Sequence, residues 1–221
     1  MEEEPAFQRE RMRMVEQQIE RRGIHEQHLL DALRRLPRHL FVSQAQQALA
    51  YEDFPLRIGQ GQTISQPYIV ALMTSLLELK GQEKVLEVGT GSGYQAAVLS
   101  LMVSKVHTVE RFSDLAENAR TILEKLGLDN VTVHVGDGSL GWADAAPYDG
   151  ILVTAAAPST PRPLLHQLAE GGRLVIPVGD RYMQELQVWQ RKGDDFHCQH
   201  NIAVAFVPLR GAHGWQDDEW S

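Results

Sequence analysis

Val85-Leu86-Glu87-Val88-Gly89-Thr90-Gly91-Ser92-Gly93 is the stretch from which this chain is best read. It reads as a buried strand that runs straight into a glycine loop. Val106-His107-Thr108-Val109-Glu110 reads as the next strand and closes on an acidic residue. Glycines let backbone approach a ligand closely. A carboxylate about 20 residues past such a loop is placed to accept both hydroxyls of a ribose. Together they predict a site for a nucleoside-containing ligand. Val131-Thr132-Val133-His134-Val135 reads as a third strand, ending at Gly136-Asp137-Gly138. Asp149-Gly150-Ile151-Leu152-Val153-Thr154 reads as a fourth, ending in Ala155-Ala156-Ala157. Ligands of open α/β sheets bind outside the carboxyl ends of the strands, where all four segments end. Asp137 there can reach an adenine amino group, or serve only as a turn or cap aspartate.

The loop spacing is Gly89-x-Gly91-x-Gly93, not the G-x-G-x-x-G of dinucleotide sites, and Tyr94 stands where that pattern has its third glycine. A bulky ring is awkward where a helix N-terminus must cradle a pyrophosphate. Glu87, two residues before the loop, would repel a pyrophosphate but suits a cation. S-adenosylmethionine carries a sulfonium and an ammonium and no phosphate, so the fingerprint favours it over NAD. A nicotinamide oxidoreductase is disfavoured again because no Tyr is followed four residues later by Lys.

The 221 residues suit one domain with a helical extension, and 43% hydrophobic with 23% charged residues suffice for a real core. The net charge of −8 argues against nucleic acid as partner, since polyanions are bound by basic surfaces. Arg9, Arg11, Arg13, Arg21 and Arg22 form the one dense basic stretch, read as a solvated helix face. A single cysteine, Cys198, leaves no internal disulfide and fits a cytoplasmic setting. The acidic start has no apolar segment of the signal-peptide kind, and no apolar run approaches the ~20 residues that span a bilayer. Neither secretion nor a membrane partner is expected.

Residues 8–50 read as helical, with Met12, Val15 and Ile19 on one apolar stripe ended by Gly23, and Leu29, Leu30, Leu33 and Leu36 on a second ended by Pro37. A short third helix is expected over residues 43–50, a loop over 51–66, and a helix opening at Ser65-Gln66-Pro67 and stopped by Gly81. From Val85 onward strands and helices alternate, with helices near 94–103, 113–126 and 161–169. A strand through Gly171-Gly172-Arg173-Leu174-Val175-Ile176-Pro177 follows, then an antiparallel pair at 185–190 and 202–207. The fold expected is α/β, a doubly wound, mostly parallel Rossmann-like sheet with helices on both faces and an N-terminal helical extension. The expected divisions are an extension with an active-site loop (1–66), a ligand-binding core (67–210) and a polar, frayed tail (211–221).

Gly59-Gln60-Gly61-Gln62-Thr63-Ile64-Ser65-Gln66-Pro67-Tyr68 is long for a structureless connection, and such loops tend to be functional or mobile. Its hydroxyls and amides can hydrogen-bond a carboxylate. The plainer reading is that Ser65 caps the next helix and Thr63 fills a turn.

In this region, in the run Tyr51-Glu52-Asp53-Phe54-Pro55-Leu56, and in Leu86-Glu87-Val88-Gly89-Thr90-Gly91-Ser92-Gly93-Tyr94, the chain resembles the protein-L-isoaspartate O-methyltransferase family. The likeness continues in order through Val109-Glu110-Arg111, Gly136-Asp137-Gly138, Thr154-Ala155-Ala156, Gly171 to Gly179 and Phe206-Val207-Pro208-Leu209, about residues 10–210. The glycine loop is common to class I methyltransferases, whereas Gln62-Thr63-Ile64-Ser65-Gln66-Pro67 is far more specific. The resemblance implies methyl transfer from S-adenosylmethionine to the α-carboxyl of L-isoaspartyl residues in damaged proteins and peptides, starting repair through a succinimide. It places the active-site serine on Ser65 and substrate contacts on Gln62, Thr63, Ile64 and Ser65. Cofactor contacts fall on Glu87, Gly89, Gly91 and Gly93, on Glu110 for the ribose, and on Asp137 with Gly138 for the adenine. Arg57 departs from the pattern, where proline is expected.

A carboxylate nucleophile has a pKa near 4 and needs no general base at neutral pH, which fits a chain with no evident nucleophile–base pair. His197-Cys198-Gln199-His200 alternates between strand faces and separates the candidate ligands, so no metal is expected. Trp142 and Tyr148 are expected to pack at a sheet edge. A monomer is expected, since one protomer can hold the whole site. A small-molecule or nucleic-acid methyltransferase, and a non-catalytic binding module, remain the rival readings.

Overall fold

Val85, Val106, Leu152 and Val175 pack on one side of a sheet, and Leu86, Val109, Ile151 and Leu174 pack on the other. Strands apolar on both sides require cover on both faces, and the computed structural model, which describes residues 5–216, 219 and 220, supplies it. In chain order the elements are α1 (Pro5–Met14), α2 (Gln27–Arg35), β1 (Leu56–Gly59), β2 (Gln62–Ile64), α3 (Pro67–Ser75), β3 (Lys84–Val88), α4 (Tyr94–Ser100), β4 (Lys105–Glu110) and α5 (Ser113–Lys125). There follow β5 (Val131–Val135), β6 (Tyr148–Val153), α6 (Arg162–His166), β7 (Leu168–Gly179), β8 (Gln184–Lys192) and β9 (Asp195–Val204). The main sheet runs β5-β4-β3-β6-β7-β8-β9. It is parallel from β5 to β7, and β8 and β9 complete it as an antiparallel hairpin. Strand order reverses between β3 and β6, so a crevice opens there at their carboxyl ends.

The N-terminal helices form a layer on the core. Met14, Val15, Ile19, Leu29, Leu30, Leu33 and Phe41 share one apolar cluster with Tyr94, Ala97 and Val98 of α4 and Leu123 of α5. No helix among the described residues is long and apolar enough to cross a membrane.

Several local expectations are corrected. Met12 is 45% exposed and Met14 takes its place in the core. A π-helical turn at Val15–Ile19 follows α1, and its extra residue rotates the buried stripe. Residues 51–66 are not all loop: β1 and β2 pair as a hairpin, Leu56 opposite Ile64, about a turn with positive φ at Gly59, Gln60 and Gly61. Helix α3 ends at Ser75, six residues before Gly81, and the chain leaves it through Glu78 at φ 53°. Residues 43–50 hold only a 3₁₀ turn, Gln44–Leu49. β7 begins at Leu168, so α6 is shorter than read, and β9 starts at Asp195 rather than 202. The tail is tied down as far as Gln216: Ala212 N donates to Asp137 Oδ2, His213 N to Ser139 Oγ, and Trp215 N to Leu209 O.

On the second face, His107 Nδ1 lies 3.0 Å from His134 Nε2, and His134 stacks on Trp142 at 4.0 Å. Tyr148 is buried at the start of β6, with its hydroxyl on Trp142 O. Burial, then the neighbouring His134, pushes His107 down to about 4, and burial lowers His134 too. The unfolded chain therefore binds more protons at these rings than the folded one. Their contribution is complete above the ordinary histidine value of 6.5 and is lost as the pH falls towards 4. The melting temperature should drop across that window, and the drop should be shallower in a His107→Gln variant when both are melted at matched pH.

Candidate active site

The site begins where β3 ends. Glu87 is completely buried, because β3 is central and its glutamate points into the face covered by α4. Thr108 Oγ1, itself held by Thr90 Oγ1, donates to Glu87 Oε2 at 2.5 Å. Glu87 Oε1 is buried with no hydrogen-bond partner. Burial pushes this carboxyl up to about 8, against the opposing pull of the Thr108 bond. Burial therefore disfavours the standing anion expected at Glu87, and a cation at the free oxygen would favour it again.

The loop after it is fitted to its neighbours. Thr154, at the end of β6, donates from its hydroxyl to Gly89 O at 2.6 Å. A Cβ on Gly89 would stand 2.4 Å from that hydroxyl. Gly91 N donates to Glu110 Oε2 at 2.8 Å, and Phe112 N donates to Glu110 Oε1 at 3.0 Å. These bonds fix the Glu110 carboxylate plane and leave each oxygen a further lone pair. Tyr94 opens α4 but does not crowd the loop: its ring turns into the N-terminal layer, edge-on to Phe41.

Three recesses meet here. The largest is a cleft of about 1130 Å³ between the β1–β2 hairpin and residues 203–208. A second, narrower one is bordered by Gly89, Gly91, Glu110 and Gly138. The third lies under the hairpin, beside Ser65, Glu87 and Ser92. Thr63 and Thr154 line all three. Ser65 lines the cleft and the third recess. Its hydroxyl makes no hydrogen bond within the described protein, and α3 is capped at Gln66 without side-chain help. The plainer reading of Ser65 as a cap is therefore not what the fold uses.

Not every expected residue arrives. Ile64 is buried in the apolar core opposite Leu56 and borders only the third recess, beneath the hairpin. Gln62 borders the cleft and bonds Gln60 O. Asp137 borders none of the three recesses. Its carboxylate accepts from Ser139 N and Oγ and from Ala212 N. Burial raises this carboxyl, but those donors outweigh it and hold it below the ordinary range. The adenine acceptor read from the sequence is thus engaged by the tail, and Gly138 alone of that pair faces the second recess. A Cβ on Gly138 would meet Val88 Cγ1 at 2.6 Å. Glycine 93 meets Ala119 of α5 rather than a recess.

Sequence reasoning missed Arg38, Thr108 and the wall at residues 203–208. Arg38 is buried and donates to Ala50 O and Ser65 O, contacts no local pattern announces. Among the described residues no group of three or more His, Cys, Asp or Glu is placed to hold a metal.

A doubly wound sheet with a glycine loop, a ribose-distance carboxylate and a buried acid at the strand switch defines a nucleoside-binding protein of the methyltransferase kind. The family model described as protein-L-isoaspartate(D-aspartate) O-methyltransferase (PCMT) matches residues 9–214, and the chain belongs to that family. It is 55% identical over 210 residues to protein-L-isoaspartate O-methyltransferase 1 of Syntrophobacter fumaroxidans, covering 95% of this chain and 98% of the relative. It is 50% identical over 213 residues to the corresponding Dictyoglomus thermophilum protein, covering 96% of each. Among solved structures, one protein-L-isoaspartate O-methyltransferase aligns over 94% of this chain and 67% of its own, at TM-score 0.84 and 28% identity. A Plasmodium falciparum chain assigned to the same activity, crystallised with S-adenosyl-L-homocysteine, aligns over 90% of this chain and 98% of its own, at TM-score 0.79 and 26% identity.

Proposed function

We infer that this protein methylates the α-carboxyl of L-isoaspartyl residues in damaged proteins and peptides, with S-adenosylmethionine as donor. The observation that carries the reading is the meeting of the three recesses at Thr63 and Thr154, with the unbonded Ser65 hydroxyl on the cleft side. Glu110 and Gly138 would hold the nucleoside, and the orphaned Glu87 oxygen would hold the cationic end; the buried unpartnered acid is the evidence that these residues fit such a cofactor. When bound, it supplies an electrophilic methyl group on a positively charged sulfur.

The chain's own part is alignment. The acceptor carboxylate is ionised at neutral pH and attacks without a base. Ser65 donates to one of its oxygens and aims the other at the methyl carbon, and the cleft holds the peptide in register. The resulting ester closes to a succinimide as the following backbone nitrogen attacks the ester carbon and methanol leaves, and hydrolysis of the ring yields normal aspartate among its products. Net charge −8 supports peptides over nucleic acid as partner, and the site draws on one protomer, which fits a monomer. A cytoplasmic location fits the single cysteine.

The test is transfer of radiolabelled methyl to an isoaspartyl peptide beside its normal aspartyl twin. Transfer to the isoaspartyl form alone is expected; equal transfer to both would sink the substrate assignment. Ser65→Ala should lower kcat/KM about 10- to 100-fold, a lost hydrogen bond to a charged group. S-adenosylhomocysteine affinity, read by calorimetry, should be unchanged.

A further inference from the structure

Arg38 opens a 3₁₀ turn (Arg38–Phe41) between α2 and the hairpin and is completely buried. Its Nε donates to Ala50 O at 2.7 Å and its Nη2 to Ser65 O at 2.9 Å. Its guanidinium lies 4.8 Å from the centre of the Tyr94 ring. Nη1 has no hydrogen-bond partner, and no carboxylate among the described residues pairs with this side chain. Burial lowers its pKa only to about 10, so it remains a cation at neutral pH. Two carbonyls can be satisfied by a neutral donor. A buried charge with no counter-charge is not needed for that, and it is costly to keep. The one element it grips that faces the cleft is the peptide of Ser65.

We propose that Arg38 is a positioning residue for the acceptor: it fixes Ser65 from behind and supplies the positive potential that the substrate carboxylate meets at the Ser65 hydroxyl. The proposal rests on the reading of Ser65 given above. An arriving anion supplies the counter-charge that the folded protein withholds. Arg111 and Arg210 also border the cleft, but Arg111 stands in solvent, where salt screens a charge. Arg38 acts through protein, where the interaction is stronger and salt reaches it poorly.

The test separates charge from scaffold. An isoaspartyl peptide is used as substrate, and the same peptide with its α-carboxylate replaced by a carboxamide is used as inhibitor. Both are measured on wild type, Arg38→Lys, Arg38→Met and Arg38→Gln, at low salt and 0.5 M salt. In Arg38→Met the KM for the acid should rise about tenfold, with the carboxamide Ki and the S-adenosylhomocysteine Kd within twofold of wild type. Arg38→Lys should keep most of the preference for acid over amide, and high salt should not abolish it. Should Arg38→Met fail to fold, Arg38→Gln, which keeps donors without charge, carries the comparison. Equal weakening of acid and amide in the neutral variants, or an unchanged acid KM, overturns the proposal and leaves the site reading standing. A wild-type enzyme inert towards the isoaspartyl peptide overturns both.

Discussion

Replacing Glu87 by glutamine should weaken S-adenosylhomocysteine binding on the order of 10²-fold at pH 8.5, about 2–3 kcal/mol for a charged contact made away from water. The wild-type protein should show a pH dependence that the variant lacks. Glu87 sits near a pKa of about 8 because burial disfavours its charge. A cationic ligand binds only the ionised form, so the apparent Kd scales with the protonated excess of the free protein. Affinity should be full well above pH 8, about half-maximal at pH 8, and lower by about fifty-fold again at pH 6. Calorimetry in buffers of different ionisation enthalpy should record release of a proton on binding below pH 8. An affinity that instead rises on acidification would mean that Glu87 donates its proton to the ligand, and the cation reading would fail.

Gly89→Ala is the second large effect. The residue lies at φ 96°, where a side chain is strained, and its new methyl would stand 2.4 Å from Thr154 Oγ1. That hydroxyl is held by Gly89 O and Val88 O, so it moves only by giving up those bonds. The expected cost is about 2–4 kcal/mol, or a melting temperature lower by about 5–15 °C, with cofactor binding lost beyond what instability explains. Thr154→Ala removes the obstructing oxygen but not the dihedral strain. The double mutant should therefore be more stable than the sum of the single changes implies. Simple additivity in denaturant melts would show that the clash is relieved some other way.

What the sequence announced was whatever depends on near neighbours. The apolar runs at Val85, Val106 and Ile151 specify buried strands by composition alone, the run at Val131 specifies a half-buried edge strand, and the glycine loop with Glu87 and Glu110 specifies the ligand end of the sheet. The hairpin was missed because β2 spans three residues, too short for alternation to register. Its signal was present in the glycine-flanked Gln60 between Leu56-x-Ile58 and Gln62-x-Ile64. The tie between Asp137 and the tail was not legible because its partner, Ala212, is 75 residues away in a stretch read as frayed. Arg38 sits among Arg34, Arg35 and His39 and looks like surface until the carbonyls of Ala50 and Ser65 close on it.

The hairpin has a kinetic corollary. Gln62 and Thr63 form part of the wall of both the narrow nucleoside recess and the wide peptide cleft, and Ile58 reaches to within 3.3 Å of where a side chain on Gly91 would begin. On the proposed reading, a peptide seated in the cleft bars the door through which the nucleoside passes. Turnover is then a queue: donor in, peptide in, ester out, spent donor last. Product-inhibition patterns should be competitive only between the two nucleosides, and a hairpin that admitted them in any sequence would produce a different set of intersecting lines.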